Sequence, residues 1–346
     1  MKIRRLSVQN VRSHNEKTIE LSPQTTILTG SNGIGKTTLL EAIYIALQGS
    51  SFKGVDSDIL AHSAPWYRID VMTDEDMVRS VTFDPSRTSG KKRFIINEKI
   101  SYRMSPRDKY PVVLFEPEDL RLLHGSPSRR RQFIDHFISQ ISPTYSTTLR
   151  RYDRALKQRN TLLKRDTVTN EDLFVWNVAL SEHGARIIEQ RIYAVEMINK
   201  QLNDHYRDIA QTNDVISAHY SDTYIGNLSQ KILRELEAKL SYDKAVKHTS
   251  IGPHRHDIIF RFNDSPALSV ASRGEVRTIL LALKRIETRL ISDLTGQDPI
   301  ILLDDVFSEL DITRQSHIVL GENNQTIITT TDFDSNKSDV LIQELS

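Results

Sequence analysis

The stretch "GSNGIGKTT", Gly30 to Thr38, decides how the rest of this chain is read. It fits G-x-x-x-x-G-K-[ST], with Gly30, Gly35, Lys36 and Thr37 in the fixed places and Ser31, Asn32, Gly33 and Ile34 between them. Glycines let such a loop turn its N–H groups inward around a β-phosphate. A lysine at the Lys36 position reaches the β- and γ-oxygens, and a hydroxyl at the Thr37 position binds Mg²⁺. The context agrees: "TTILTG" is a short β-rich run, and "KTTLLEAIYIALQ" continues with a broad apolar helical face. The segment therefore reads as a nucleoside triphosphate site on a strand–loop–helix unit.

Such a site needs a carboxylate for its cation. "PIILLDDVFSELD", Pro299 to Asp311, is an apolar run ending in two acids, as a buried parallel strand would. Asp304 is expected to hold Mg²⁺ together with Thr37, and Asp305 to orient or deprotonate the attacking water. The interval from Lys36 to Asp304, 304 − 36 = 268 residues, means that something large separates the two halves of the site.

The intervening sequence says what. Up to about residue 126 the chain reads as strands and turns around one helix, with "KIRRLSVQNV", "YRIDVMT", "MVRSVTFD" and "KRFIINEKI" as strand-like pieces. Between 127 and 245 apolar residues recur at helical spacing: Phe133, Ile134, Phe137 and Ile138, then Tyr145, Leu149 and Tyr152, then Leu173 to Leu202. Strand signals return in "DIIFRF" and "QTIITTT". The expected fold is α/β: a P-loop ATPase head formed by 1–126 and 246–346, interrupted by a mainly helical arm or lid over 127–245.

A second phosphate seat lies about thirty residues before the acidic strand. "ASRGEVRTILLALKRIE", Ala271 to Glu287, is a polar turn opening into an amphipathic helix, whose first N–H groups with Ser272 and Gly274 suit an anion. Ser272 would cap that helix in any case. An S-x-G-[EQ] turn at this place marks ABC-type ATPases.

Composition sets the outer limits. The 346 residues hold 46 Lys plus Arg against 45 Asp plus Glu, so any nucleic-acid surface must be a local patch. There is no cysteine, which excludes disulfides and thiolate-bound zinc. The charged N-terminus does not read as a signal peptide, and no apolar run is long enough to span a membrane; the expectation is a soluble, cytoplasmic protein with no membrane partner. Local positive charge gathers at Arg129, Arg130 and Arg131, and again at Arg150, Arg151, Arg154, Lys157, Arg159, Lys164 and Arg165. A third cluster is Lys91, Lys92 and Arg93. These are candidate phosphate contacts with DNA, against the alternative of solvated helix faces.

In sum the motifs make the chain resemble the RecF family, relatives of the SMC-type DNA-repair ATPases. "GSNGIGKTTLLEAIY", "LFEPEDLRLLHGSPSRRRQFID", "LKQRNTLLK", "GPHRHD", "SRGEVRTILLALK", "PIILLDDVFSELDITRQ" and "TIITTTD" follow in family order over nearly the whole chain. The resemblance implies an ABC-type head that dimerises head to tail on ATP, so that Ser272 and Gly274 of one subunit close over nucleotide held by Gly30–Thr38 of the other. It adds Arg12 to the nucleotide-binding set and makes "SELD", Ser308 to Asp311, the D-loop. It also implies weak ATPase activity, binding to single- and double-stranded DNA at gaps and junctions, and a RecR-type recombination mediator as partner in loading recombinase. Departures are His256, where the family usually has an acid, and Glu275, where glutamine is common. "TTTD", Thr329 to Asp332, has no histidine at the γ-phosphate sensor position, and Gln132 is the candidate for the Q-loop. A transporter ATPase subunit and a small-molecule P-loop kinase remain as alternatives.

Overall fold

A computed structural model describes residues 1–222, 226–306, 323–331 and 340–345. The chain divides into two compact units, 1–119 with 287–346, and 120–286.

The first unit, the head, begins with β1 (Ile3–Val11), β2 (His14–Glu20) and β3 (Thr25–Thr29), followed by α1 (Lys36–Gln48) and the short α2 (Asp56–Ile59). Next come β4 (Tyr67–Thr73), β5 (Val78–Phe83), β6 (Lys92–Ile96), β7 (Lys99–Ser101) and β8 (Val112–Phe115). The run "KRFIINEKI", read above as one strand, is a hairpin: Asn97 and Glu98 take φ of 50° and 64°, and Ile96 pairs with Lys99. Two consecutive left-handed residues are what a tight two-residue hairpin requires.

The second unit starts with α3 (Pro127–Ile141), α4 (Pro143–Leu163) and α5 (Asn170–Ala210). Then follow β9 (Ile216–Tyr220), α6 (Leu228–Ala238), α7 (Leu240–Val246), β10 (Ile258–Phe262), β11 (Ser265–Pro266), α8 (Ala267–Val270) and α9 (Arg273–Thr295). The head is completed by β12 (Ile300–Asp304), β13 (Thr326–Thr330) and β14 (Val340–Glu344).

Among the described residues, two sheets build the head. One is antiparallel in the order β2-β1-β4-β5-β6-β7; the other is parallel in the order β14-β3-β13-β12-β8. Helix α1 packs against strands of both, and the core joins its Leu39, Leu40, Ile43 and Leu47 to Leu6, Val8, Ile69, Val71, Ile300, Leu302 and Ile327. Because α1 is apolar nearly all round, it can only be stable between two layers. Gly49 ends it in the left-handed conformation, φ 87°, with its N–H on the Ile45 carbonyl at 2.9 Å. The parallel order sets the C-terminal ends of β3, β12, β13 and β8 side by side, the edge where ligands of open α/β sheets bind.

In the second unit α5 packs on α4, α6 and β9. Its N-terminus carries a capping box in which Thr169 Oγ1 accepts from the Asp172 N–H at 3.1 Å, while Asp172 accepts from the Thr169 N–H at 3.0 Å. The unit is not limited to 127–245. Strand β10 pairs with β9, Ile258 opposite Tyr220, in the sheet β11-β10-β9, so the segment after "GPHRHD" belongs to this unit, and the second boundary falls within α9. Local periodicity marked "DIIFRF" as a strand but could not say which strand it would pair with.

Candidate functional site: a phosphate loop and a buried carboxylate

Residues 30–35 join β3 to α1 as a glycine-dependent loop. Gly30, Gly33 and Gly35 have φ of 150°, 85° and 101°. At Gly35 there is no room for a side chain either, since an added Cβ would meet the His14 ring and lie 2.6 Å from Ser13 Oγ. His14 Nε2 lies 3.1 Å from the Gly35 carbonyl, so the β1–β2 turn buttresses the loop from behind. Lys36 is 4% exposed, and its ammonium donates to the carbonyls of Gly30 at 2.7 Å and Ser31 at 3.2 Å. These are neutral acceptors, which a phosphate oxygen outbids as a charge-assisted partner.

A cavity of about 300 Å³ opens over the loop, lined by Arg12, Asn32, Gly33, Gly35, Lys36, Thr37, Thr38 and Asp305 of the expected set, with Ser13. Arg12 is in the left-handed region, φ 45°, and its guanidinium pairs with Glu41 at 2.8 Å. Glu41 is 1% exposed, so this pair holds Arg12 at the cavity wall.

The acidic strand meets the loop as expected. Asp304 ends β12, and its Oδ1 accepts from Thr37 Oγ1 at 2.6 Å. Thr329 lies opposite Asp304 in the β12–β13 register and donates to the same oxygen at 3.0 Å. The other oxygen, Oδ2, faces the Lys53 ammonium at 2.8 Å. A hydroxyl and a carboxylate in direct contact are hard oxygen donors of the kind Mg²⁺ takes, so Thr37 and Asp304 fit the cation that accompanies ATP. Asp305 has φ 50°, and its N–H is directed at Thr329 O and Oγ1, 3.2 and 3.0 Å away. Burial pushes its carboxyl above the ordinary range; Lys36 opposes this, Asp304 adds to it, and Lys53 opposes it again. A carboxyl so shifted suits proton acceptance from water better than an exposed aspartate.

The second seat is built as a capped helix. Glu275 Oε2 accepts from the Ser272 N–H at 2.6 Å and the Glu275 N–H points to Ser272 Oγ at 3.3 Å, a reciprocal capping box at the start of α9. Glu275 thus turns its carboxylate back onto its own helix end. Ser272 is exposed and Gly274 half-buried.

The candidate DNA contacts divide. Arg150, Arg151, Arg154 and Lys157 are exposed on α4, at spacings that share a face. Arg130 is 8% exposed and fully engaged: it makes a bidentate pair with Asp257 and donates to the Gly125 carbonyl. Half-buried Arg129 precedes it, and Arg131 donates to the His256 carbonyl at 2.6 Å. Arg159 is fully buried, held by Asn177, Asp243 and Thr249. Lys92 pairs with Asp56. Arg130, Arg159 and Lys92 are tied within the protein, because a run of basic residues does not record which of them face inward.

Several residues of the site escaped the sequence reading. Ser13, His14, Glu41 and Lys53 belong to no linear phosphate-site motif and are brought in by tertiary packing. Gln132 lies on α3, whereas the residue following β8 beside the Asp304 strand is Glu116. Burial, then Asp119, raises the Glu116 carboxyl to about 7, against the pull of Lys53. The D-loop residues Ser308–Asp311 and the sensor residue Asp332 lie outside the described residues.

Comparison with known proteins follows the same lines. A family model described as an AAA domain matches residues 5–247. The DNA replication and repair protein RecF of Streptococcus agalactiae serotype V is 37% identical over 96% of this chain and 92% of its own. A solved structure of the recombination mediator protein RecF-ATPrS in the RecFOR pathway is 28% identical, with TM-score 0.88 over 99% of this chain and 96% of that one. An Smc head bound to the C-winged helix domain of ScpA, 15% identical with TM-score 0.54 over 96% of this chain and 90% of that one, shares the fold alone.

Proposed function

Because the chain belongs to the RecF family of DNA replication and repair proteins, we propose that it is an ATP-dependent DNA-binding protein of recombinational repair. ATP binds at Gly30–Thr38 with Arg12 at the cavity wall, and Thr37 and Asp304 hold Mg²⁺. ATP favours a head-to-tail dimer in which Ser272 and Gly274 of one copy meet the nucleotide of the other. Asp305 accepts a proton from the attacking water in a slow hydrolysis that releases the dimer. The dimer acts at gapped or junction DNA, through Arg150, Arg151, Arg154 and Lys157, with a RecR-type mediator, to help load recombinase.

The observation that carries this reading is the 2.6 Å contact between Thr37 and Asp304, the two residues expected to share a cation, across 267 positions of sequence. A ligand that touches the signature turn only as the triphosphate can shift the dimer equilibrium, and hydrolysis then resets it. The exposed basic face of α4 supports DNA contact without sequence readout.

Sedimentation with and without ATP, and with and without gapped DNA, tests the proposal. An ATP-dependent dimer, further favoured by DNA, is expected. Ser272→Arg should leave nucleotide binding within about twofold and abolish the dimer, since a bulky cation then stands at the shared face. A dimer of ordinary strength in that variant would refute the trans arrangement.

A further inference from the structure

Asp304 is 2% exposed, and a carboxylate so enclosed requires a counter-charge. Lys36, the cation of the phosphate loop, does not supply it, because its ammonium is bound to the Gly30 and Ser31 carbonyls. The counter-charge is Lys53, whose Nζ lies 2.8 Å from Oδ2, while Oδ1 is taken by the hydroxyls of Thr37 and Thr329. Lys53 sits in a constrained turn after α1. Its N–H and that of Gly54 both donate to Ser51 Oγ at 2.9 Å, and the Ser51 hydroxyl itself donates to buried Glu41. The backbone of Lys53 is thereby anchored to the same glutamate that holds Arg12. Its side chain is 32% exposed, so the ammonium has a route to water.

We propose that Lys53 is a positioning residue of the metal site: it holds Asp304 in place when no divalent cation is bound, and it must release Oδ2 when one is. The inference rests on the nucleotide-site reading above and deepens it. Two like charges drawn to one carboxylate at a few ångströms repel, and the anchored turn leaves the flexible stem of Lys53 as the part that yields. Lys53 therefore competes with the cation, raising the metal concentration that nucleotide binding demands, while keeping the carboxylate aligned with Thr37 in the meantime.

Mn²⁺ is a paramagnetic probe of such a site. Its uptake can be followed by electron paramagnetic resonance in the presence of ADP, on the full chain, for the wild type, Lys53→Met and Lys53→Arg. Lys53→Met should lower the half-saturating Mn²⁺ concentration by about fivefold, the scale of a partly exposed ion pair, and Lys53→Arg should stay near the wild type. Metal-free ADP binding, followed with a fluorescent analogue, should change less than twofold in both variants and shows that the site is still folded. An unchanged or raised Mn²⁺ requirement in Lys53→Met overturns the proposal. So does a loss of metal-free ADP binding that Lys53→Arg restores, which would make Lys53 a phosphate ligand. If the wild type takes up neither ADP nor Mn²⁺, the nucleotide-site reading fails, and this inference fails with it.

Discussion

Lys36 in the head and Arg159 in the second unit are both cations buried to within a few per cent, and they are held in different ways. The ammonium of Lys36 rests on two backbone carbonyls, with a cavity beside it. The guanidinium of Arg159 is locked on the carboxylate of Asp243, also fully buried, with Asn177 Oδ1 and Thr249 Oγ1 as further acceptors. Arg191 repeats the second pattern, bidentate to Asp135 with a further bond to the Pro253 carbonyl, and so does Arg130 with Asp257. A buried cation satisfied by an anion of its own chain is committed to holding elements together. One satisfied by neutral oxygen atoms can exchange them for a phosphate.

The sharpest way to break this contrast is Arg159→Met. It strands the Asp243 carboxylate in the interior and should cost about 3–5 kcal/mol of stability in chemical denaturation, while the affinity of the head for ATP stays the same. A cost below about 1 kcal/mol would mean that Asp243 finds water or a proton at little expense. Lys36→Ala is the converse. It should weaken ATP binding by about tenfold or more, the loss of one charge-assisted contact, with an unfolding free energy within about 1 kcal/mol of the wild type. Nucleotide titration by calorimetry checks it, and unaltered affinity would remove the lysine from the site.

A smaller effect separates the units by pH. In the second unit His254 receives the Tyr152 hydroxyl at 2.6 Å, and His256 lies between Tyr220 and Asp222. Burial lowers both from 6.5 to about 4. The unfolded chain therefore binds protons below pH 6.5 that the folded chain refuses until about 4. The histidine contribution, full above 6.5, is lost as pH falls across that window, on the order of 1–2 kcal/mol for each histidine between pH 7 and 5. Glu116 in the head has the opposite sign. Its carboxyl, raised from 4.5 to about 7, binds a proton in the folded state first, so its contribution grows as pH falls from about 7 toward 4.5. Denaturation midpoints at pH 7 and 5 should accordingly fall more steeply for Glu116→Gln than for the wild type, and less steeply for His254→Gln. Equal slopes in all three would show that these groups titrate alike in both states.

Much of the head was legible in the sequence because its chemistry is local. Gly30, Gly35, Lys36 and Thr37 sit within eight residues, and each is demanded by the loop geometry itself. The apolar run before Asp304 announced a buried strand. The helices α3, α4 and α5 were equally readable from the spacing of Phe137, Tyr152 and Ile188, each of which is buried in the structure. Charge was not readable in the same way. Among seven basic residues between Arg150 and Arg165, Arg159 faces inward and Arg154 outward, and no pattern in the sequence distinguishes a guanidinium bound for Asp243 from one bound for solvent. The pairing of β10 with β9, which moved the boundary of the second unit to α9, was hidden for the same reason: a strand's periodicity specifies a buried face and leaves the neighbour open.

Sequence alone determined the phosphate loop, the acidic strand, the capped helix at Ser272 and the helical character of the insertion. Each of these follows from backbone preferences and apolar spacing over a few turns of chain. Tertiary structure decided that Thr37 and Asp304 touch, that Lys53 pairs with the other oxygen of Asp304, and which arginines are spent on the interior. Those are questions of which distant segments share a small, poorly hydrated volume, where an unpaired charge is too costly to leave and the packing of the whole unit selects its partner.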